Sequence, residues 1–120
     1  MGSHKDLFAF QKGYALAMEI FTITRRFPPE EKYSLTDQIR RSSRSVCVNI
    51  DEGYRKRRYK AHFISKLTDA DMENTETGIW LNFAKDCKYI TEEEFESLSA
   101  KNTEVGRLIG SMLQHLDKFL

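Results

Sequence analysis

From Phe8 to Arg26 apolar side chains return every three or four residues, with Phe10, Tyr14, Ala17 and Phe21 in step and no strict alternation. That period belongs to a helix, and it predicts a first helix over about residues 8–26, ended by Pro28 and Pro29, the two prolines of the chain. The run "YSLTD" offers Ser34 as an N-cap with Asp37 three residues on, and Gly53 stands where a helix would end in a left-handed residue. A second helix is therefore expected over about 35–52. A third is predicted over about 59–88, with Phe63, Leu67 and Ala70 early and Ile79, Trp80, Phe83 and Cys87 late. Its middle, "TDADMENTETG", is polar and poor in helix formers, which predicts a bend or a solvent-facing stretch. "ITEEEF" then supplies Thr91 as N-cap and Glu94 as its box partner. Leu98, Val105, Leu108, Ile109, Met112, Leu113, Leu116 and Phe119 carry a fourth helix over about 91–120. Four long helices with short connections describe an all-α, up-and-down antiparallel four-helix bundle, one domain over residues 1–120.

The first helix has more apolar surface than a bundle needs. Spaced at 100° per residue, its apolar side chains cover an arc of roughly 200° and leave the rest to Gln11, Lys12, Glu19, Thr22 and Arg26. A broad interior stripe with a few exposed apolar residues accounts for this, and so does a second apolar face that packs on another subunit. Leu16, Ile20, Ile23 and Phe27 form a complete stripe of their own, which favours the second account and makes these four the expected oligomer interface.

Composition narrows the classes. A chain of 120 residues that is 40% hydrophobic can build a core without covalent staples. Cys47 and Cys87 stand forty residues apart with no C-x-x-C spacing, so neither a disulfide framework nor a zinc site is signalled, and a reducing cytoplasm is the expected compartment. No apolar run nears the roughly 18 residues of a membrane span, and the start "MGSHKDLF" has neither a signal-sequence pattern nor the hydroxyl residue of a myristoylation site at Asp6.

Four-helix bundles often house metal enzymes, but the residues that such chemistry needs are not in place here. The di-iron arrangement needs Glu-x-x-His on two helices so that carboxylate and imidazole reach one metal pair. Three residues before His4, His62 and His115 stand Met1, Tyr59 and Met112 instead. Asp69, Asp71, Glu73 and Glu76 are dense, but a charge run on a helix is usually its solvated face. No glycine-rich phosphate loop, nucleophile elbow or deaminase-type Cys/His set occurs. The reading is a non-enzyme without metal or cofactor.

Net charge is only +1, yet residues 40–60 carry eight Lys or Arg while residues 69–104 carry ten acids against Lys85, Lys88 and Lys101. Such polarity fits a nucleic-acid surface or head-to-tail pairing of subunits. On the second helix Gln38 and Arg41 share a face with Ser42 and Ser45, and Ile39, Val46 and Ile50 take the core side. Small Ser42, Ser43 and Ser45 permit close helix approach. Asn49, Glu52 and Gly53 read as a helix terminus: Gly53 left-handed, Asn49 bonded to loop backbone, Glu52 paired with Arg55 or Arg41. Arg40, Arg44, Arg55, Lys56, Arg57, Arg58 and Lys60 remain as candidate phosphate contacts. Tyr54 and Tyr59 interleave them as candidate stacking platforms for unpaired bases. Equally, this basic turn could meet the acidic helices of a neighbouring subunit.

The stretch "FQKGYALAMEIFTITRRFPPEEKYSLTDQIRRSSRSVCVNIDEGYRKRRYKAHFISKL" resembles the bacterial four-helix-bundle proteins encoded in intervening sequences of 23S ribosomal RNA genes. Gln11-Lys12, the Phe27-Pro28 stop, Tyr33, Leu35, the Q-x-R-R of Gln38 to Arg41 and the N-I-x-E-G of Asn49 to Gly53 carry the likeness, which extends from about Leu7 to Leu116. The resemblance implies a ring, commonly a homopentamer, with no known catalysis. It is also similar to the pentameric accessory protein of diversity-generating retroelements, which implies RNA or DNA and a protein such as a reverse transcriptase as partners. The competing expectation is a protein-interaction scaffold whose basic turn docks a subunit or protein partner.

Overall fold

Four α-helices dominate the computed structural model, which describes residues 7–120: α1 (Phe8–Thr24), α2 (Asp37–Arg55), α3 (Lys60–Asp86) and α4 (Glu92–Gln114). They run up and down, and each packs on two neighbours, α1 and α3 both lying against α2 and α4, so α1 and α3 are diagonal. At about 1.5 Å per residue the 27 residues of α3 span most of the 44 Å long axis. The expectations for "MGSHKD", including His4 and the N-terminal signals, lie outside the described residues. Among the described residues no helix is long and apolar enough to cross a membrane.

Ile20, Ile39, Ile50, Phe63, Leu67, Leu81, Val105 and Ile109 fill the interior with at most 1% of their surface exposed. Ile39, Val46 and Ile50 therefore face the core as their spacing predicts. The stripe expected to face outward, Leu16, Ile20, Ile23 and Phe27, is instead interior: three are buried and Ile23 packs half-buried against the core. The reason is size. That stripe is interleaved with Ala9, Gly13 and Ala17, all buried, which lets α1 approach its neighbours closely. The bulkier Phe8, Tyr14 and Met18 are left outside.

The link from α1 to α2 departs from a simple loop. A 3₁₀ turn (Pro29–Glu31) leads into a π-helical turn (Lys32–Thr36) that continues directly into α2. Ser34 is not the expected N-cap, because its hydroxyl donates to Glu31 Oε1 at 2.5 Å. Glu31 also accepts from the Tyr89 hydroxyl at 2.7 Å. These two hydrogen bonds hold the Glu31 carboxyl below its usual range, and the second of them pushes the Tyr89 hydroxyl up to about 12. Leu35, Phe27, Ala84 and Ile90 make a small apolar cluster beneath this link.

The polar middle of α3 is continuous helix: Thr68, Asp69 and Thr75 face solvent as expected, and the opposite side turns into the bundle. Ala70, Asn74 and Thr77 are buried, and the polar side chains are matched across the bundle. The Thr77 and Ser42 hydroxyls lie 2.8 Å apart, at the place where small Ser42 and Ser43 let α2 and α3 close up. Asn74 Nδ2 donates to the Asn102 carbonyl at 3.0 Å, and Asn102 Nδ2 donates to the Asn74 carbonyl and Oδ1, both at 2.9 Å. Gly78 makes room for this pair, since a Cβ there would stand 2.6 Å from Asn102 Oδ1. Further along, Ile79, Phe83 and Cys87, expected inside, are exposed, while Leu81 and Ala84 take the core positions.

α4 starts on the expected capping box: Glu94 N–H donates to Thr91 Oγ1 at 3.1 Å and Thr91 N–H to Glu94 Oε1 at 2.8 Å. It does not run to residue 120. The chain leaves helical geometry at His115 and turns through a 3₁₀ segment (Leu116–Phe119), which buries Leu116 and lays Phe119 edge-on to Phe63, ring centroids 6.4 Å apart.

α3 closes with a Schellman arrangement: Tyr89 N–H reaches the Ala84 carbonyl and Lys88 N–H the Lys85 carbonyl, each at 2.9 Å. Lys88 carries φ 64°, the left-handed conformation that glycine adopts without steric cost. Lys88→Gly is expected to stabilise the protein by about 0.5–1 kcal/mol, read as a raised urea midpoint at unchanged slope.

Candidate nucleic-acid interface

Gly53 lies inside α2, two residues before its end, with no positive φ. Its function is close approach: an added Cβ would stand 3.0 Å from Lys66 Cβ and 3.4 Å from the Phe63 ring. The expected helix terminus at Asn49–Gly53 is thus displaced by one turn. Asn49 Nδ2 donates back to the Ser45 carbonyl at 3.0 Å rather than to loop backbone. Glu52 pairs with Lys66 of α3 at 3.0 Å rather than with Arg55 or Arg41. Arg41 reaches Glu73 and Glu76 on α3, at 3.3 and 2.6 Å, and Ser45 also donates to Glu73. Arg41 of the Q-x-R-R element and Glu52 of the N-I-x-E-G element therefore fasten α2 to α3, and Gln38 lies in the first turn of α2.

Arg55 ends α2, Lys56 to Tyr59 turn, and Lys60 opens α3. Cations suit the C-terminal, partly negative end of α2, but they oppose the positive N-terminal end of α3, which has no acid in its first turn and no side-chain cap. Arg55, Lys56, Arg58, Tyr59 and Lys60 are exposed, Arg57 half so. Tyr54 is not the expected base platform. It is buried at 4% exposure in the core, where the Arg57 guanidinium lies 4.0 Å from its ring centroid and donates to its carbonyl at 2.9 Å. Tyr59 does stand out, 60% exposed with His62 edge-on to its ring. A cleft of about 510 Å³ is lined by Arg55, Arg57, Arg58, Tyr59 and Leu120.

The described cations differ in whether they meet a carboxylate. Lys12, Arg26, Arg41, Lys66, Lys85 and Lys101 each meet a carboxylate. No ion pair joins Arg55, Lys56, Arg57, Arg58 or Lys60 to a carboxylate among the described residues. Arg40 and Arg44, expected beside this turn, stand further back on α2 at the end of α1. Sequence reasoning missed the groove between, about 430 Å³, where Phe10, Tyr14, Met18 and Val48 meet Arg44, Asp51 and Glu52. It also missed an exposed stripe of Met72, Ile79 and Phe83, which sits on the α3 face opposite buried Ala70. Cys47 is buried, which pushes its thiol up to about 11, and Cys87 is exposed. Among the described residues no group of three or more His, Cys, Asp or Glu side chains is placed to hold a metal ion.

The family model for "23S rRNA-intervening sequence protein" matches residues 5–111. A crystal structure of a protein with unknown function from the S23 ribosomal protein family of Bacteroides thetaiotaomicron aligns with a TM-score of 0.80 and 32% identity, covering 88% of this chain and 95% of that one. No curated protein matches.

Proposed function

The chain belongs to the 23S rRNA-intervening sequence protein family, and from that premise we propose that it is a non-catalytic, homo-oligomeric bundle that binds nucleic acid through the α2–α3 turn. The observation that carries this reading is the set of five cations, Arg55, Lys56, Arg57, Arg58 and Lys60, crowded on one exposed turn with no ion pair to a carboxylate among the described residues. Phosphates would balance that charge and the bare N-terminus of α3 together. Tyr59 offers the stacking surface that Tyr54 cannot. Self-association is supported by apolar surface on two opposite sides, Tyr14, Met18 and Val48 beside α1 and Met72, Ile79 and Phe83 on α3. Two different patches suit head-to-tail contacts, which form a ring when the rotation between neighbours closes, and a pentamer is the favoured size. Light scattering that gives the mass of a single chain would overturn the oligomer.

The binding test is fluorescence anisotropy with RNA and DNA duplexes of equal length across a salt series. Affinity should fall steeply, by about 0.9 log units per phosphate contact for each tenfold rise in salt. Arg55→Gln with Arg58→Gln should lower the slope by about 2 and affinity about a hundredfold near 100 mM salt. Wild type with no retention near 50 mM salt would leave the turn as a protein-docking surface of a scaffold.

A further inference from the structure

Phe21 lies half-buried near the end of α1, and three guanidinium groups gather on its ring. The Arg25, Arg40 and Arg44 carbons lie 4.9, 4.7 and 5.6 Å from the ring centroid. Arg25 comes directly after α1 and the other two come from consecutive turns of α2. Arg40 is held in place: its Nε donates to Thr24 Oγ1 at 2.8 Å and its NH2 group to the Phe21 carbonyl at 3.4 Å. Thr24, buried, donates its own proton to the Ile20 carbonyl at 2.7 Å, so it is oriented to accept from Arg40.

The neighbours in sequence make the contrast. Arg26 pairs with Glu94, and Arg41 with Glu73 and Glu76. Among the described residues no carboxylate forms an ion pair with Arg25, Arg40 or Arg44. An aromatic face attracts one cation, but three like charges drawn to one ring repel each other. A doubly accepting anion between guanidinium forks removes that repulsion and satisfies their donors.

We propose that Phe21 with Arg25, Arg40 and Arg44 is a phosphate-binding site for a nucleic-acid backbone, a second anchor separate from the α2–α3 turn. The proposal rests on the nucleic-acid reading of that turn and deepens it. Separation comes from helix geometry. Arg44 and Arg55 are eleven residues, about three turns, apart, so they share one face of α2 roughly 16 Å from each other along the axis. Between them the groove presents Tyr14, Met18 and Val48 together with Asp51 and Glu52. Apolar carbon and carboxylate cannot carry a continuous phosphate track, so each end takes its own phosphates. The ring is covered by guanidinium groups, which makes this a backbone site and not a base platform.

Arg25→Gln with Arg44→Gln tests it, because both side chains are exposed and neither bonds Thr24. In the anisotropy series with an RNA duplex, the variant should lower the log–log salt slope by about 2 relative to wild type. Combined with Arg55→Gln and Arg58→Gln the losses should add. Tripolyphosphate should raise the Tm of wild type and raise that of Arg25→Gln/Arg44→Gln less. An unchanged slope, with Arg55→Gln/Arg58→Gln still lowering it, overturns the second anchor and leaves the turn standing. A variant whose Tm falls without any anion while its slope stays at the wild-type value shows arginines that only pack on the ring, and also overturns it. Wild type that binds no duplex removes both readings.

Discussion

Asn102→Leu is expected to lower stability by about 2–3 kcal/mol in urea unfolding, a large effect for a side chain that is not fully buried. The loss comes from what remains. Asn74, 6% exposed, keeps its Oδ1 inside the bundle after losing the Asn102 amide that reached it at 2.9 Å, while its carbonyl remains in the α3 ladder. An unsatisfied buried acceptor costs its desolvation in full, whereas removing both partners leaves nothing stranded. Asn74→Leu with Asn102→Leu should therefore recover part of the loss, with a coupling of about 1–2 kcal/mol in the double-mutant cycle. If the two single losses simply add, the reciprocal pair is not energetically real. Gly78→Ala gives the matching sign test. Helix propensity alone scores it as a gain of about 1 kcal/mol. A Cβ 2.6 Å from Asn102 Oδ1 must instead push the amide off its partners, and the variant should be the less stable one.

Phe63→Ala should cost about 3–5 kcal/mol, the range for emptying a fully buried aromatic site. Three elements lean on this ring. Gly53 has no side chain to refill the space from α2, Phe119 meets the ring edge from the C-terminal 3₁₀ segment, and the rest of the wall is core. Phe63→Leu should cost less than half as much, because most of the volume stays. Hydrogen exchange in Phe63→Ala should rise first at residues 54–60 and 116–119, the segments that lose their backing. Uniform acceleration across all four helices would contradict that local account. The functional link is direct: the basic turn keeps its shape because Tyr54 and Phe63 seat it on the core.

The bundle was legible in the sequence because its signals are local. Thr91 with Glu94, the double proline and the spacing of Ile39, Val46 and Ile50 need no knowledge of distant residues. Gly53 was misread because a glycine near a helix end serves either a left-handed residue or a close contact, and only the position of Lys66 and Phe63 decides. The inner face of the middle of α3 was missed because Asn74 and Thr77 are polar. Their partners, Asn102 and Ser42, lie 28 and 35 residues away, a distance no window covers. In α1 two apolar stripes competed, and the one flanked by Ala9, Gly13 and Ala17 went inside. Small neighbours were the readable clue. The basic turn was legible as a charge run. The Phe21 cluster was not, since Arg25 follows α1 whereas Arg40 and Arg44 lie on α2.

The π-helical turn at Lys32–Thr36 bears on how this chain tolerates insertions and deletions. Such a turn holds about one residue more than an α-helical turn, so it is a place where length can change without cost in phase. Losing one residue there converts the turn to α geometry and leaves every position from Asp37 onward on its own face. The same deletion inside α2 would rotate the remainder of that helix by about 100°. It would carry Ile50 off the core and Arg55 off the face it shares with Arg44.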